Sequence, residues 1–436
     1  MEETKVVKFG GSSLADAKQF KKVADIILSD PERRFVVASA PGKRFIEDVK
    51  VTDMLYKCYE LASESENFDE YFQMIKDRYN NIIADLGLKD FSLDEDFEII
   101  KGAFAHMAGR DYAASRGEYL NSKVLAKYLG FDFIDAGKYI FFDWTKTEAK
   151  LAPKLAKTNK AVIPGFYGSM PNGTIKTFSR GGSDVTGSIV ARATKAKLYE
   201  NWTDVSGCLI CDPRIVNNPE PIKTITYREL RELAYMGATV LHEDAIFPVR
   251  AAGIPVNIKN TNQPEDRGTM IVSESAEHCD HIITGIAGKK GMSVINIEKD
   301  KMNSEIGFGK NVLRALEKSN VSFEHMPSGV DTMSVVIATE ALAGKETAII
   351  DEIKSRVHPD QIYIESNLAL IAVVGRGMKS ARGTAAILFS ALADARVNIK
   401  MIDQGSSELN IIVGVEEEDF EVAIKAIYKR FIGINQ

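Results

Sequence analysis

Short apolar runs alternate with helical periodicities over the first two-thirds of the chain. Val6-Val7-Lys8-Phe9, Phe35-Val36-Val37-Ala38, Phe131-Asp132-Phe133-Ile134, Ala161-Val162-Ile163, Leu198–Asn201 and Pro255–Ile258 are brief and rich in β-branched or aromatic residues. Such runs read as buried strands. Between them apolar residues recur at helical spacing. Ala17, Phe20, Ala24 and Ile27 predict a helix over 14–28, with Ser13 and Asp16 spaced as a capping box. The alternation predicts an α/β unit whose largely parallel sheet is covered on both faces. From about 53 to 128 the strand signals fade, and the stretch reads as an inserted helical subdomain. Its acidic runs (Glu64, Glu66, Asp69, Glu70; Asp94-Glu95-Asp96) read as a solvated face.

The last third repeats itself. A shift of 76 residues aligns 292–337 with 368–413 without a gap, with identities such as Met302/Met378, Ser304/Ser380 and Gly307/Gly383. The apolar pattern carries the match further: Met292, Val294 and Ile297 fall on Leu368, Leu370 and Val373, and Val335-Val336-Ile337 on Ile411-Ile412-Val413. Each copy reads as a strand, a helix begun at glycine, two β-rich runs and a second helix. The helices are expected near 308–319 and 341–356, then 384–395 and 418–430. This is a βαββα(β) unit of ferredoxin-like type, and its period is too long for a solenoid. The three-part division expected is 1–283, 284–362 and 363–436.

Composition narrows the function classes. The chain has 436 residues with 55 Lys+Arg against 61 Asp+Glu, a formal net charge of −6, and so lacks the basic surplus of a nucleic-acid protein. Four scattered cysteines (Cys58, Cys208, Cys211, Cys279) do not make a disulfide framework. Cys208 and Cys211 have C-x-x-C spacing but no second pair, which favours a scaffold role over a metal site. No apolar run reaches the ~20 residues of a membrane span, and Met1–Lys5 show no signal-peptide h-region. The expected setting is the reducing cytoplasm.

Three polar turns carry the candidate chemistry. Lys8-Phe9-Gly10-Gly11-Ser12-Ser13 leaves the first strand and enters a helix; its glycines would let backbone N–H groups close on a phosphate, with Lys8 reaching the same oxygens. Ser179-Arg180-Gly181-Gly182-Ser183-Asp184 opens a second helix. Arg180 there could clamp a carboxylate, and Asp184 suits either a structural charge at the helix start or a catalytic one. Trp202-Thr203-Asp204-Val205-Ser206-Gly207 ends a strand and precedes Asp212-Pro213-Arg214. No Gly-x-x-x-x-Gly-Lys-Ser/Thr and no strand-linked Gly-x-Gly-x-x-Gly occurs, so P-loop and Rossmann signatures are missing.

In order along the chain, the Lys8–Ser13 turn, Ser39, Val51-Thr52-Asp53, Arg116-Gly117-Glu118, Arg180–Asp184, Thr203-Asp204-Val205 and Asp212-Pro213-Arg214 resemble the amino acid kinase family. The C-terminal repeat resembles a pair of ACT domains, and the two together resemble the aspartokinases of that family. The resemblance implies a three-layer α/β sandwich followed by two ACT domains. It implies transfer of the ATP γ-phosphoryl group to the β-carboxylate of L-aspartate, at the head of the routes to lysine, threonine, methionine and diaminopimelate. Lys8 and Asp184 would be catalytic, the latter orienting Lys8 or organising Mg²⁺. Arg180 would bind the α-carboxylate and Glu118 the α-ammonium of aspartate, with Ser39, Thr52, Gly181, Gly182 and Ser183 around them. Lys8, Phe9, Gly10, Gly11, Ser12, Thr203, Asp204, Leu209, Asp212, Arg214 and Thr239 would meet ATP. No resident metal site is expected.

The ACT-like turn Met302-Asn303-Ser304-Glu305-Ile306-Gly307, with Phe308 and Gly309, offers N–H groups to an effector carboxylate. Glu324, which aligns with Lys400 in the second copy, could hold an effector amine. A plain connecting turn is the alternative. Lysine is the first effector expected and threonine the second, with pairing of ACT domains implying a homodimer or dimer of dimers. Two positions depart from the aspartokinase pattern: Thr239 stands where a nucleotide-contacting lysine is usual, and Leu209 where an aromatic is usual. Other readings are a kinase of acetylglutamate or glutamate, or an inactive amino-acid sensor.

Overall fold

A computed structural model describes residues 3–179, 181–238, 241, 243–274 and 281–433. It divides into two compact units, one of Met1–Cys208, Pro221–Tyr227 and Val240–Ser275, the other of Leu209–Glu220, Arg228–Thr239 and Ala276–Gln436. No described helix is long and apolar enough to cross a membrane.

In the first unit β1 (Lys5–Phe9), α1 (Ala17–Leu28) and β2 (Arg33–Ala38) lead into four successive helices: α2 (Val51–Ser63), α3 (Asp69–Asp85), α4 (Asp94–Ala105) and α5 (Arg110–Leu129). The helical insertion is thus present, over 51–129. Then follow β3 (Asp132–Phe133), α6 (Ala136–Tyr139), α7 (Trp144–Ala156), β4 (Ala161–Pro164), the hairpin β5 (Tyr167–Ser169) and β6 (Ile175–Thr177), α8 (Gly182–Thr194) and β7 (Leu198–Thr203). After β8 (Thr224–Thr226), the chain passes through α9 (Tyr227–Tyr235), which from Arg228 on belongs to the second unit, and returns with α10 (Phe247–Ala251), β9 (Val256–Asn260) and β10 (Thr269–Val272) to close the first.

The sheet order is β3-β4-β2-β1-β7-β9-β10-β8. β1 pairs in parallel with β2 on one side and β7 on the other, and only the β9–β10 pair is antiparallel among the eight strands. Val6, Val7 and Phe9 have no exposed surface, as a central parallel strand covered on both faces requires. Phe9 stacks on Trp202 of the neighbouring strand with ring centroids 5.9 Å apart. One face packs into the insertion, where Phe68, Phe72, Phe97 and Phe104 meet edge to face.

The first helix departs from the sequence expectation. Ser12–Leu14 forms a separate 3-10 turn, and α1 starts at Ala17, capped by the Asp16 carboxylate accepting from Gln19 N–H at 2.9 Å. Ser13 instead hydrogen-bonds Thr261 at 2.7 Å. A Ser–Asp capping box gives way because Asp16 itself takes the N-cap position and satisfies the Gln19 N–H of the helix start.

The second unit contains β11 (Gly285–Glu298), α11 (Phe308–Lys318), β12 (Thr332–Ala338), α12 (Thr339–Leu342), α13 (Glu346–Val357), β13 (Gln361–Val374), α14 (Thr384–Asp394), β14 (Met401–Asp403), β15 (Asn410–Glu416) and α15 (Phe420–Ile432). The order β12-β11-β13-β15-β14 is one antiparallel sheet. Its two long strands serve both repeats. The β11 half Gly285–Lys289 pairs with Leu370–Val374, and the half Val294–Glu298 pairs with Gln361–Glu365. Register shifts around Lys289, Met292 and Val294 add one residue first to β11 and then to β13, which resets the face of each strand. Two cores result: Ile295, Val312, Leu316, Val335, Ile349 and Ile353 in one, Ile286, Ile371, Leu388, Val413 and Ile424 in the other. The strand completing the second repeat therefore precedes the first repeat in the chain.

Candidate active site

The C-terminal ends of β1, β2, β4 and β7 lie side by side, the usual mouth of an open parallel sheet. Each strand runs into a polar turn there. Gly10 N–H donates to the Trp202 carbonyl at 3.0 Å and Ser39 N–H to the Phe9 carbonyl at 3.2 Å, so the β1 turn is held to the ends of β2 and β7. Gly11 and Gly42 approach until Gly42 N–H reaches the Gly11 carbonyl at 2.8 Å. A Cβ on Gly42 would lie 2.6 Å from the Gly11 backbone, so neither turn could close with a side chain in between.

Lys8, the last polar position before that turn, is 8% exposed. Its Nζ lies 2.6 Å from Asp184 Oδ1. Asp184 stands in the first turn of α8, which begins after Gly181 in the left-handed region (φ 60), where glycine carries no Cβ penalty. Asn201 on β7 completes the group: its Nδ2 donates to Asp184 Oδ1 at 2.9 Å, and its Oδ1 accepts from Lys8 Nζ at 3.3 Å. Asn201 escaped the sequence reading. The signal for it is an amide in the middle of an otherwise buried central strand.

Glu118 comes from α5, which is buried over most of its length. Burial pushes its carboxyl up to about 8, against hydrogen bonding from the Ala40 backbone and the nearby charge of Arg116. Glu118 Oε2 has no hydrogen-bond partner among the described residues, and the same is true of Asn121 Oδ1 and Ser122 Oγ. At spacings of three and four these residues share one side of the helix. Buried polar atoms without partners are rare in folded proteins, and a cluster of them fits a site that a polar ligand completes. Asn121 Nδ2 also donates to the Ser39 carbonyl at 2.7 Å. Ala40 links the two halves of the site, since it lies between Glu118 and Gly11.

The turn from 39 to 48 has a second anchor that the sequence did not reveal. Buried Arg78 of α3 donates to the Gly42 carbonyl at 2.6 Å and to Asp48 Oδ2 at 2.8 Å. Arg44 pairs with the same carboxylate, and these contacts hold Asp48 far below the usual carboxylate range despite partial burial.

Of the remaining candidates in the first unit, Ser39 and Thr52 are half-buried, Ser183 is buried, and Thr203 donates to exposed Asp204 at 3.2 Å. Arg180 and Thr239 lie outside the described residues. Leu209, Asp212 and Arg214 belong to the second unit, where exposed Arg214 is engaged by Asp212 at 2.6 Å. Cys208 and Cys211 are buried free thiols, each pushed up to about 12 by burial, a state without thiolate reactivity at neutral pH. Among the described residues no three His, Cys, Asp or Glu converge as a metal site.

The effector candidates separate into two places. Met302 and Phe308 are buried in the first-repeat core, while Ser304 and Gly307 are exposed at the turn between β11 and α11. That turn is tied to the strand region at Val330 through Asn303 N–H, whereas Glu324 N–H bonds Val336. Six positions separate these ties, a span of at most roughly 20 Å because β12 begins only at Thr332. Glu324 is also occupied: Lys289 Nζ donates to it at 2.7 Å and the Tyr235 hydroxyl donates to the same oxygen. Half-burial raises its carboxyl, but these two donors outweigh that and hold it below the usual range.

Comparison with known proteins finds matches over nearly the whole chain. Residues 3–260 match the amino acid kinase family, and residues 371–431 match an ACT domain. The chain is 40% identical over 449 aligned positions to Aspartokinase 3 of Bacillus subtilis (strain 168), with 98% of each chain covered. It is similar to the crystal structure of the Clostridium acetobutylicum aspartate kinase, with 55% identity, a TM-score of 0.92, and 98% of this chain and 100% of that one covered. E. coli aspartokinase III, solved with aspartate and ADP, gives 25% identity and a TM-score of 0.72 over 98% of this chain and 99% of that one. The same enzyme solved with lysine and aspartate gives 0.73 over the same shares.

Proposed function

The chain belongs to the amino acid kinase family and is an aspartate kinase, and we propose that its site works through Lys8, Asp184 and Glu118 on ATP and L-aspartate. The observation that carries this reading is the buried Lys8–Asp184 pair at the end of β1, joined through the 39–42 turn to a Glu118 carboxylate with an unpartnered oxygen. The product is 4-phospho-L-aspartate. A similar enzyme solved with aspartate and ADP supports both substrates.

The β-carboxylate of aspartate is ionised at neutral pH, so no general base is needed. Catalysis rests on in-line positioning and on spreading the charge of the transferred phosphoryl group. Lys8 neutralises phosphoryl oxygens, and the Gly10 and Gly11 turn donates N–H groups beside it. Asp184 orients Lys8 until the nucleotide arrives. Glu118, once ionised, pairs with the substrate ammonium, and Arg180 takes the α-carboxylate. Asp184 is the carboxylate of the Lys8–Asp184–Asn201 cluster that would hold an Mg²⁺ ion carried by the ATP phosphates, whose charge that ion would neutralise, in keeping with the one or two carboxylates such sites use.

Regulation by a product amino acid belongs to the same reading. Lysine is favoured because a similar enzyme is solved with it, and its amine would compete with Lys289 for Glu324. Threonine is the alternative effector. Trapping the acyl phosphate as a hydroxamate, with lysine or threonine added in turn, tests substrate and effector together. Equal rates in all conditions would remove the regulatory part.

A further inference from the structure

We propose that Asn201 is a positioning residue for phosphoryl transfer, holding Asp184 in place while Lys8 moves its charge from that carboxylate to the phosphoryl group. The inference rests on the reading of Lys8 and Asp184 as the catalytic pair.

The placement follows from strand register. Lys8 and Asn201 are directly paired neighbours on the parallel strands β1 and β7. Tyr199 and Asn201, two residues apart, share a strand face, and that face meets α8: the Tyr199 hydroxyl donates to the Asp184 carbonyl at 3.3 Å, and the Asn201 amide donates to its carboxylate. Nothing can slip between α8 and β7, because a Cβ on Gly187 would lie 2.4 Å from the Tyr199 hydroxyl. Asp184 is thus gripped at backbone and side chain by one strand.

A central buried strand normally carries apolar side chains here, and an amide in its place is costly unless satisfied. Asn201 is 3% exposed and satisfied in one orientation only. Its oxygen faces an ammonium and its nitrogen faces a carboxylate; turning the amide over would set NH₂ against NH₃⁺ and oxygen against oxygen. An amide is the neutral group that can touch both members of an ion pair without altering its net charge. When Lys8 turns toward a phosphoryl oxygen, Asp184 keeps the Asn201 hydrogen bond. That lowers the cost of parting a buried pair, which is otherwise steep.

The test uses the full chain and four variants: Asn201→Leu, Asn201→Asp, Asp184→Asn and the double variant Asp184→Asn/Asn201→Leu, with Lys8→Ala as the reference for the catalytic reading. Steady-state kinetics with ATP and aspartate should show kcat reduced roughly 10- to 100-fold in Asn201→Leu, with both KM values within about threefold of wild type. Asn201→Asp keeps the volume but sets a second carboxylate against Asp184 and should lose at least as much; it also serves if the leucine variant does not fold. In the Asp184→Asn background, Asn201→Leu should cost less than about threefold, because residues acting as a unit are not additive. A wild-type kcat in a folded Asn201 variant would overturn the proposal, as would a loss confined to KM or fully additive in the cycle. If Lys8→Ala and Asp184→Asn retain full kcat, the catalytic reading itself fails. If they lose it while Asn201→Leu and Asn201→Asp do not, only the role of Asn201 is lost.

Discussion

Lys8 Nζ and Asp184 Oδ1 are 2.6 Å apart, a largely buried charge pair between the end of β1 and the first turn of α8. In the proposed reading this pair holds a cation ready where phosphate would meet the β1 turn. Lys8→Ala should therefore cut kcat by roughly 10²–10³-fold, the scale of losing one charge-stabilising donor. Steady-state kinetics on a variant with native circular dichroism measures it, and a loss below threefold would contradict the role.

The proposed pairing of Glu118 with the substrate ammonium implies a pH dependence. Burial raises its carboxyl to about 8, so the substrate-free site holds it mostly protonated at pH 7. An ammonium substrate binds the ionised form, and each pH unit below 8 costs about tenfold in apparent affinity. The KM for aspartate should fall up to about tenfold from pH 7 to pH 8.5, and Glu118→Gln should flatten that slope while raising KM. A flat wild-type profile would rule this out.

Glu324 is already held by Lys289 and Tyr235. If an effector amine takes that carboxylate, it must displace Lys289. Lys289→Ala should then lower the lysine concentration for half-inhibition, by roughly tenfold if one such hydrogen bond to a charged group is released. Inhibition curves compared at fixed aspartate decide it; unchanged or weaker inhibition places the effector elsewhere.

Glu229 of α9 has no exposed side-chain surface and accepts from Arg376 Nη1 at 2.8 Å, Arg376 N–H at 2.8 Å and Thr284 Oγ1 at 2.6 Å. Removing the guanidinium takes the opposite charge away from a buried carboxylate and leaves it neutral donors such as Thr284 Oγ1, at a cost of up to about 3–5 kcal/mol. Arg376→Leu should lower the free energy of unfolding accordingly in a denaturant titration, and a loss under about 1 kcal/mol would show the pair to be dispensable.

Much of this was legible along the chain, and what was not shares one cause. Lys8 and Asp184 could be picked out because each sits in a local glycine-rich turn. Asn201 could not, since its meaning lies in strand register with a residue 193 positions earlier. Arg78 and Asn121 likewise act across the fold, on the Gly42 and Ser39 carbonyls. Glu324 was visible as an anion peculiar to one repeat, but Tyr235 and Lys289 reach it from other elements. The 76-residue repeat disclosed two modules, but not that one strand, Gly285–Glu298, serves both. Its interior Gly288-Lys289-Lys290-Gly291 marks where the strand changes register and passes from one core to the other.

The most direct measurement is the hydroxamate assay on the full chain, with ATP and Mg²⁺ and with L-aspartate, L-glutamate or N-acetyl-L-glutamate as acceptor, and Lys8→Ala as the control. Hydroxamate and ADP should form in step with aspartate alone, and roughly 10²–10³-fold more slowly with the Lys8 variant. Equal or greater product with glutamate or N-acetylglutamate, or full turnover by Lys8→Ala, would contradict that expectation.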